Sequence, residues 1–364
     1  MNFTIKTTEL QDMVGKAIKC TSNNKLIPLT SLLNIKVKDN ILTLTTTDAT
    51  NYFYVSKPDK VYCEDFEISV LADLFTKLVQ KTTSENIEII ASGGLLKVKG
   101  NGTYTMELPL DENGNVIKFP SKLSEDFEAL SGTLKLSTVK SILNYNKPSL
   151  AVNMEAPSLT CYYCADKVVT SDSYKVCSTN IKVFDKPMLL TSTLVDLLGV
   201  MSEEDIMVTF TESDMVFRTS IETIYSPITP GVNTYPITAI DNLVNRDFTS
   251  SCKVSKSALL NILDRLSLFV SPYDKKGIYL TFTPEGIMCS SKKLSGEELI
   301  PYISSNNFAD YTCCIDIDML RSQVSTQEGE EIELGYGSDV AIKLTNKNII
   351  QLVALIEDDR FKEE

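Results

Sequence analysis

The chain has 364 residues, 43% hydrophobic and 23% charged, with a formal net charge of −13. That length suits two or three domains, and the balance suits a folded protein with a sizeable core. Histidine is absent, which excludes Ser-His-Asp, Cys-His and histidine–metal chemistry. Neither G-x-x-x-x-G-K-[ST] nor G-x-G-x-x-G occurs, so nucleotide binding has no sequence case. No apolar run of about 18 residues and no basic-then-apolar leader is found, and the expectation is a cytoplasmic protein.

Taken in chain order, the elements repeat. MNFTIKTTEL (1–10) alternates like a strand, and TELQDMVGKAIKC (8–20) follows as a helix with Leu10, Met13, Val14 and Ala17 on one stripe. Two strands come next, SLLNIKVKDN and ILTLTTTD. A second helix, VLADLFTKLVQK (70–81), places Leu71, Leu74, Leu78 and Val79 on one face, and the hairpin NIEIIASGGLLKVKG (86–100) closes the series. The series returns as helix LSTVKSILNYNK (136–147), strands AVNMEAPSL and TCYYCADKVVTSD, helix TSTLVDLLGVM (191–201) with Leu194, Leu197, Leu198 and Met201 on one face, and hairpin DIMVTFTESDMVFRT (205–219). It returns again as helix SKSALLNILDRLS (255–267) with Leu259, Ile262, Leu263 and Leu266 on one stripe, strands IYLTFTPE and GIMCSSKKL, helix DIDMLRSQV (316–324) and hairpin EIELGYGSDVAIKL (331–344). Thr191 and Asp316 are expected N-caps.

Aligning Ile87, Ile206 and Ile332 gives spacings of 119 and 126 residues, close to a third of the chain. The reading is an α+β chain of three similar domains, 1–124, 125–248 and 249–364, each made of two βαβββ units with helices on one face and sheets on the other. KFPSKLSEDFEAL (118–130) and NLVNRDFTSSCKV (242–254) read as linkers, and EDDRFKEE (357–364) as a charged, frayed tail. Edge strands that pair between domains make the sheet continuous and remove exposed edges. Three such domains curve into an arc, and two arcs joined head to tail close a ring.

No distinctive catalytic cluster recurs with the repeat. Glu203-Glu204-Asp205 falls in a turn before a strand. The nine cysteines are scattered; Cys161 and Cys164 form a C-x-x-C without a second ligand pair, and Cys313 and Cys314 are adjacent, so strand cysteines are a better reading than a zinc site. No metal and no cofactor is expected.

The order of elements and several phrases resemble the sliding clamp family, the β subunit of bacterial DNA polymerase III. MNFTIKTTELQDMVGKAI is similar to the clamp's opening strand and first helix, LIPLTSLLNIKVKDNILTLTTTD (26–48), with Pro28 in place, to the segment after it, and TYTMELP (103–109) followed by KFP (118–120) to the end of the first clamp domain. The resemblance spans essentially the whole chain. It implies the DNA clamp fold and a processivity factor without catalysis of its own: a head-to-tail homodimeric ring that encircles double-stranded DNA of any sequence, is opened by an ATP-dependent clamp loader, and tethers the replicative DNA polymerase.

The charge pattern is compatible with that. The six expected helices carry nine basic residues (Lys16, Lys19, Lys77, Lys81, Lys140, Lys147, Lys256, Arg265 and Arg321) against seven acidic ones, a net of +2 within a chain of −13. Weak, non-specific phosphate contacts suit sliding; solvated helix faces are the plainer alternative. Lys25, Lys275 and Lys276, in expected turns, are further candidates. The resemblance also implies that Tyr104 and Met106 meet Phe269 and Val270 of a second copy.

Clamps bind partner peptides in an apolar pocket, edged by Thr-Asp-Gly-His-Arg-Leu. The matching stretch is Ser171-Asp172-Ser173-Tyr174-Lys175-Val176. Pro236 matches a pocket-wall proline, and Leu352, Val353, Ala354, Leu355 and Ile356 stand at the apolar chain end, where the family has Met-Pro-Met-Arg-Leu. The departures alter the pocket's shape and polarity, and fit a phage or other mobile-element clamp as well as a divergent chromosomal one. A shell-building repeat protein and a carboxylate-dependent enzyme are the competing readings; basic inner helices and an apolar peptide groove favour a clamp over either.

Overall fold

The computed structural model describes residues 2–111, 113–115, 117, 119–120, 132–152, 156–271, 273, 276–292 and 296–358. Six βαβββ units follow one another. The first is β1 (Asn2–Lys6), α1 (Thr7–Ala17), β2 (Leu32–Lys38), β3 (Ile41–Thr47) and β4 (Tyr52–Ser56). The second is β5 (Phe66–Leu71), α2 (Ala72–Lys81), β6 (Asn86–Ser92), β7 (Leu95–Lys99) and β8 (Thr103–Glu107). The third is β9 (Gly132–Lys135), α3 (Leu136–Tyr145), β10 (Cys161–Cys164), β11 (Val168–Ser171) and β12 (Lys175–Thr179). The fourth is β13 (Met188–Thr191), α4 (Ser192–Leu198), β14 (Asp205–Phe210), β15 (Asp214–Arg218) and β16 (Glu222–Pro227), after which α5 (Ile237–Val244) is an addition. The fifth is β17 (Ser250–Ser255), α6 (Lys256–Leu266), β18 (Gly277–Thr283), β19 (Gly286–Ser291) and β20 (Glu297–Pro301), with an added β21 (Ser304–Asn306). The sixth is β22 (Tyr311–Asp316), α7 (Ile317–Thr326), β23 (Glu331–Tyr336), β24 (Ala341–Asn346) and β25 (Ile349–Ala354).

Local chemistry explains the ends of these elements. Asp316 caps α7 by accepting a hydrogen bond from the Met319 amide at 2.9 Å, and Ser255 does the same for α6 from the Ala258 amide at 3.3 Å. The β6–β7 turn is made by Gly93 (φ 59°) and Gly94 (φ 78°), the left-handed pair that a two-residue hairpin requires.

The chain divides into two compact units, one of residues 1–139 and 193–228, the other of residues 140–192 and 229–364. In the first unit, β1-β6-β7-β8 form a four-stranded sheet and β5-β2-β3-β4-β16-β15-β14-β9 an eight-stranded one. In the second, β13-β10-β11-β12-β25-β24-β23-β17-β21 form a nine-stranded sheet and β20-β19-β18-β22 a four-stranded one. The long sheets exist because terminal strands of different repeats pair. Strand β4 meets β16 from Val55↔Glu222 to Tyr52↔Tyr225, and β12 meets β25 from Lys175↔Val353 to Thr179↔Ile349. Each pairing hides two edges that would otherwise template aggregation. Over the first junction, the Tyr54 and Tyr225 rings meet edge to face at 5.7 Å. In the second unit, α6 and α7 bury Leu259, Ile262, Leu263, Leu266, Leu320 and Val324 against β18, β19 and β22–β24.

Four expectations are corrected. In α2 the buried stripe is Ala72, Phe75 and Val79, while Leu71 and Leu74 are 48% and 52% exposed. Two stripes offset by one residue share this sequence, and the bulkier Phe75 takes the core. The described residues of AVNMEAPSL, 151–152 and 156–159, form no strand: Pro157, which has no amide to donate, opens a 3-10 turn over Pro157–Thr160, and β10 starts only at Cys161; residues 153–155 lie outside the described residues. The span 242–254 is not a linker throughout, because α5 runs to Val244 and β17 begins at Ser250. The chain end is not loose at Asp358. Leu355 bridges to Ile315, the Ile356 amide donates to the Cys314 carbonyl, and Asp358 accepts from the Tyr279 hydroxyl at 2.6 Å and pairs with Lys292 at 3.2 Å. Residues 359–364, and all of 118–130 except Phe119 and Pro120, lie outside the described residues.

Candidate functional site

The cations expected to face DNA fall into two groups. Lys19, Lys25, Lys81 and Lys140 are exposed and make no ion pair among the described residues; Lys147 is exposed as well. Others are engaged. Lys77 pairs with Asp73 one turn away at 2.7 Å, both ends exposed, an arrangement worth little in water. Arg265 grips Glu298 with two hydrogen bonds of 2.8 and 2.6 Å, and Arg321 pairs with Asp264 at 2.8 Å. The guanidinium of Arg265 holds the Glu298 carboxyl below its ordinary range. Lys276 pairs with Asp318, and Lys275 lies outside the described residues.

Two cations are placed as structural groups rather than as phosphate ligands. Lys256 is half-buried and donates to the Gln327 carbonyl at 2.5 Å. Lys16, with its side chain only 14% exposed, lies 2.7 Å from Asp12 and 3.1 Å from Glu222. Burial alone would lower the pKa of this ammonium, but hydrogen bonds to Asp12 and Glu222 outweigh it and hold it above the ordinary lysine value. Burial likewise would raise Glu222, yet hydrogen bonds from the Ser202 and Thr219 hydroxyls, the Ser202 amide and Lys16 hold its carboxyl below the usual range. A lysine so satisfied has little to offer a phosphate.

The expected partner-peptide residues converge at the second junction. Between β11 and β12 the chain turns through Asp172, whose carboxylate accepts from the Tyr174 amide at 3.0 Å and the Lys175 amide at 2.6 Å. Ser173 sits at φ 76°, the conformation that favours the glycine of the family phrase. The Ala354 amide donates to the Tyr174 carbonyl at 2.8 Å, so the turn and the end of β25 are joined.

Their exposure differs. Tyr174 is 62% exposed and Pro236 is exposed; Ala354, Leu355 and Ile356 are half-buried. Ser171, Val176 and Val353 present almost no surface: Ser171 accepts from the Ser173 amide, Val176 belongs to the cluster beneath, and Val353 lies fully inside the core over α6 and α7. Lys175 is tied to the Pro148 carbonyl and to Asp172 and does not reach outward. Val353, Ser171, Val176 and Lys175 thus lie beneath this surface rather than on it. The buried cluster beneath also contains Tyr235, Ile240, Ala341 and Leu352, which pack with Val176. Tyr235 is fixed by its ring contact with Tyr163 at 5.2 Å and by its hydroxyl on the Val169 carbonyl. Of these four, the sequence points only to Leu352; the helical spacing of Ile240 and Val244 in YPITAIDNLV (235–244) is the signal for the segment that holds Tyr235 and Ile240.

Of the residues expected at a self-interface, Tyr104 and Phe269 are exposed, and Val270 packs in part against the core. Tyr104 is 47% exposed and Met106 half-buried on β8, an edge strand. Phe269 is 51% exposed, Leu268 80% exposed and Val270 half-buried just after α6. All nine cysteines are free, eight of them buried, and burial pushes the Cys177 thiol up to about 12. Among the described residues no cluster of His, Cys, Asp or Glu fit for a metal is found, and no helix is long and apolar enough to cross a membrane.

Residues 1–128 match the family described as DNA polymerase III beta subunit, N-terminal domain. No curated relative matches the chain. Among solved structures, the DNA polymerase sliding clamp of Bacillus subtilis superposes with a TM-score of 0.85 at 18% identity, over 98% of this chain and 99% of its own. The DNA polymerase III subunit beta of Borrelia burgdorferi gives 0.84 at 19% identity over 98% and 99%. The beta subunit from Streptococcus pyogenes DNA polymerase gives 0.83 at 18% identity over 98% and 100%. Residues 1–128 thus match the DNA polymerase III beta subunit family, and over 98% of its length the chain carries the fold of these sliding clamps.

Proposed function

We propose that this protein is a DNA sliding clamp of three domains, 1–124, 125–248 and 249–364, which closes with a second copy into a ring around duplex DNA and tethers a polymerase. It carries out no catalysis itself and is placed on DNA by an ATP-dependent loader. The observation that carries the proposal is the rule of the strand junctions. The last strand of the first unit (β4) pairs with the last of the fourth (β16), and the last of the third (β12) with the last of the sixth (β25). By the same rule the last strand of the fifth unit, β20, should pair with the last of the second, β8. Both stand at the edges of four-stranded sheets. A β20–β8 pairing between two copies, made twice, closes a head-to-tail ring and leaves neither edge open. Exposed Leu74, Tyr104, Leu268 and Phe269 supply apolar surface for that contact.

The lysines and the second-junction surface support the remaining roles. Exposed Lys19, Lys25, Lys81, Lys140 and Lys147 give weak, sequence-independent phosphate contacts in a chain that is otherwise acidic. Tyr174, Pro236 and Ala354–Ile356 offer a mixed apolar surface suited to a short peptide of the polymerase or loader. The test is retention on circular duplex DNA in the presence of a loader and ATP, and release when the circle is cut. Equal retention on linear DNA would mean ordinary binding and would overturn the ring.

A further inference from the structure

The two strand junctions inside the chain are equivalent by the repeat, yet different chemistry holds them from beneath. The buried positions Leu10, Met13 and Ala17 of the α1 segment match Val139, Ile142 and Asn146 of the α3 segment, which sets Lys16 against Tyr145. At the first junction the Lys16 ammonium donates to the Ser202 hydroxyl and lies 3.1 Å from Glu222, the residue of β16 that pairs with Val55. The Glu222 side chain is wholly enclosed, and it also accepts from the Thr219 hydroxyl at 2.7 Å and the Ser202 amide at 3.1 Å. A second enclosed ammonium, Lys57 just past β4, lies 2.8 Å from Glu9 of α1 and 3.3 Å from Asp59. Helix α1 is thereby tied by charge to β16 and to the residue that follows β4.

At the second junction the positions that match Lys16 and Glu222 are the neutral Tyr145 and Ile349. The junction holds ion pairs of its own, but Lys175 with Asp172 at 3.4 Å stays within β12 and the turn before it, and Lys347 with Glu328 at 3.6 Å is exposed. Ile349 stands where Glu222 does, as the first residue of its strand and the partner of Thr179. The Tyr145 hydroxyl donates to Glu328 where Lys16 meets Ser202. Beneath β25 runs a ladder of buried amides: Gln327 donates to the Gln351 carbonyl oxygen at 2.6 Å, Gln351 to the Thr326 hydroxyl at 2.9 Å, and Gln323 to the Ser149 hydroxyl at 2.9 Å. The side-chain oxygens of Gln323 and Gln327 are left without a protein partner. Neutral amides with spare acceptors exchange partners at little cost. Parting an enclosed ion pair strands a charge away from water, which costs far more.

We infer that β4–β16 is a locked joint and β12–β25 a compliant one, so that opening motion between clamp domains of one chain is confined to the junction that carries Tyr174, Lys175 and Ala354. The inference stands on side chains and strand pairing and does not need the DNA role. Amide hydrogen exchange on the full chain tests it. In the wild type, amides of β4 and β16 should exchange at least about tenfold more slowly than those of β12 and β25. Glu222→Gln, which keeps the shape but removes the charge and turns one accepting oxygen into a donor, should speed β16 exchange at least about tenfold and leave β25 within about twofold. Lys16→Met should act in the same direction. Equal or reversed protection in the wild type, a comparison that needs no variant to fold, would overturn the inference. So would a substitution that loosens both junctions alike.

Discussion

Lys16 of α1 and Glu222 of β16 stand 3.1 Å apart, and the carboxylate has no exposure to solvent. The pair fixes a sign for the pH dependence of stability. Glu222 titrates below its ordinary range in the folded chain, so its contribution is present above the unfolded value of about 4.3 and is lost as pH falls through the folded value. Lys16 titrates above its ordinary value, so its contribution is present below about 10.4 and is lost as pH rises through the folded value. Thermal midpoints measured from pH 3 to pH 7 should therefore rise with pH, and Glu222→Gln should flatten part of that rise. A Glu222→Gln profile parallel to the wild type would show that the pair is not responsible. Loss of either partner should cost about 2 kcal/mol, between the values for exposed and buried pairs.

Ser173 holds a left-handed backbone conformation at φ 76°. Ser173→Gly should remove the Cβ strain, partly offset by the greater freedom of glycine in the unfolded chain, for a net gain of about 0.5 kcal/mol. Urea denaturation midpoints measure it, and a loss of stability would count against strain at this turn.

Val353 and Tyr174 lie close along one junction but should respond differently. Val353→Ala, in the core, should destabilise by about 2 kcal/mol. Tyr174→Ala, largely exposed, should stay within about 0.5 kcal/mol of wild type in stability, and should weaken binding of an apolar partner peptide. Calorimetric titration with such a peptide, alongside denaturation, separates the two effects; a stable Val353→Ala variant would return Val353 to the pocket wall.

Phe269 and Val270 are among the residues proposed to meet a second copy. The double change to alanine should shift a sedimenting dimer to monomer without changing the midpoint of unfolding measured on monomer. A double variant that still sediments as a dimer would sink the assignment of these residues.

The two classes of lysine should separate in salt titrations of duplex binding. Lys81→Gln and Lys140→Gln should each lower the slope of log affinity against log salt by about 1. Lys16→Gln should leave that slope unchanged and reduce stability instead.

The sequence by itself determined the repeat. Strand alternation, helical stripes and turn residues are local signals, and they placed all six βαβββ units and the three-fold spacing of the hairpins. They also marked Asp316 as a cap. What the tertiary structure decided was which partner each group meets. Lys16 read as one more basic residue on a helix, because Ser202, which it touches, lies 186 residues away in sequence. The choice between Leu74 and Phe75 for the core of α2, and the pairing of β4 with β16, rested on volumes and edges contributed by distant segments. Periodicity names the face a residue shares with its neighbours in the chain. The groups that neutralise, bury or pair it come from elsewhere in the fold, and no local pattern carries their identity.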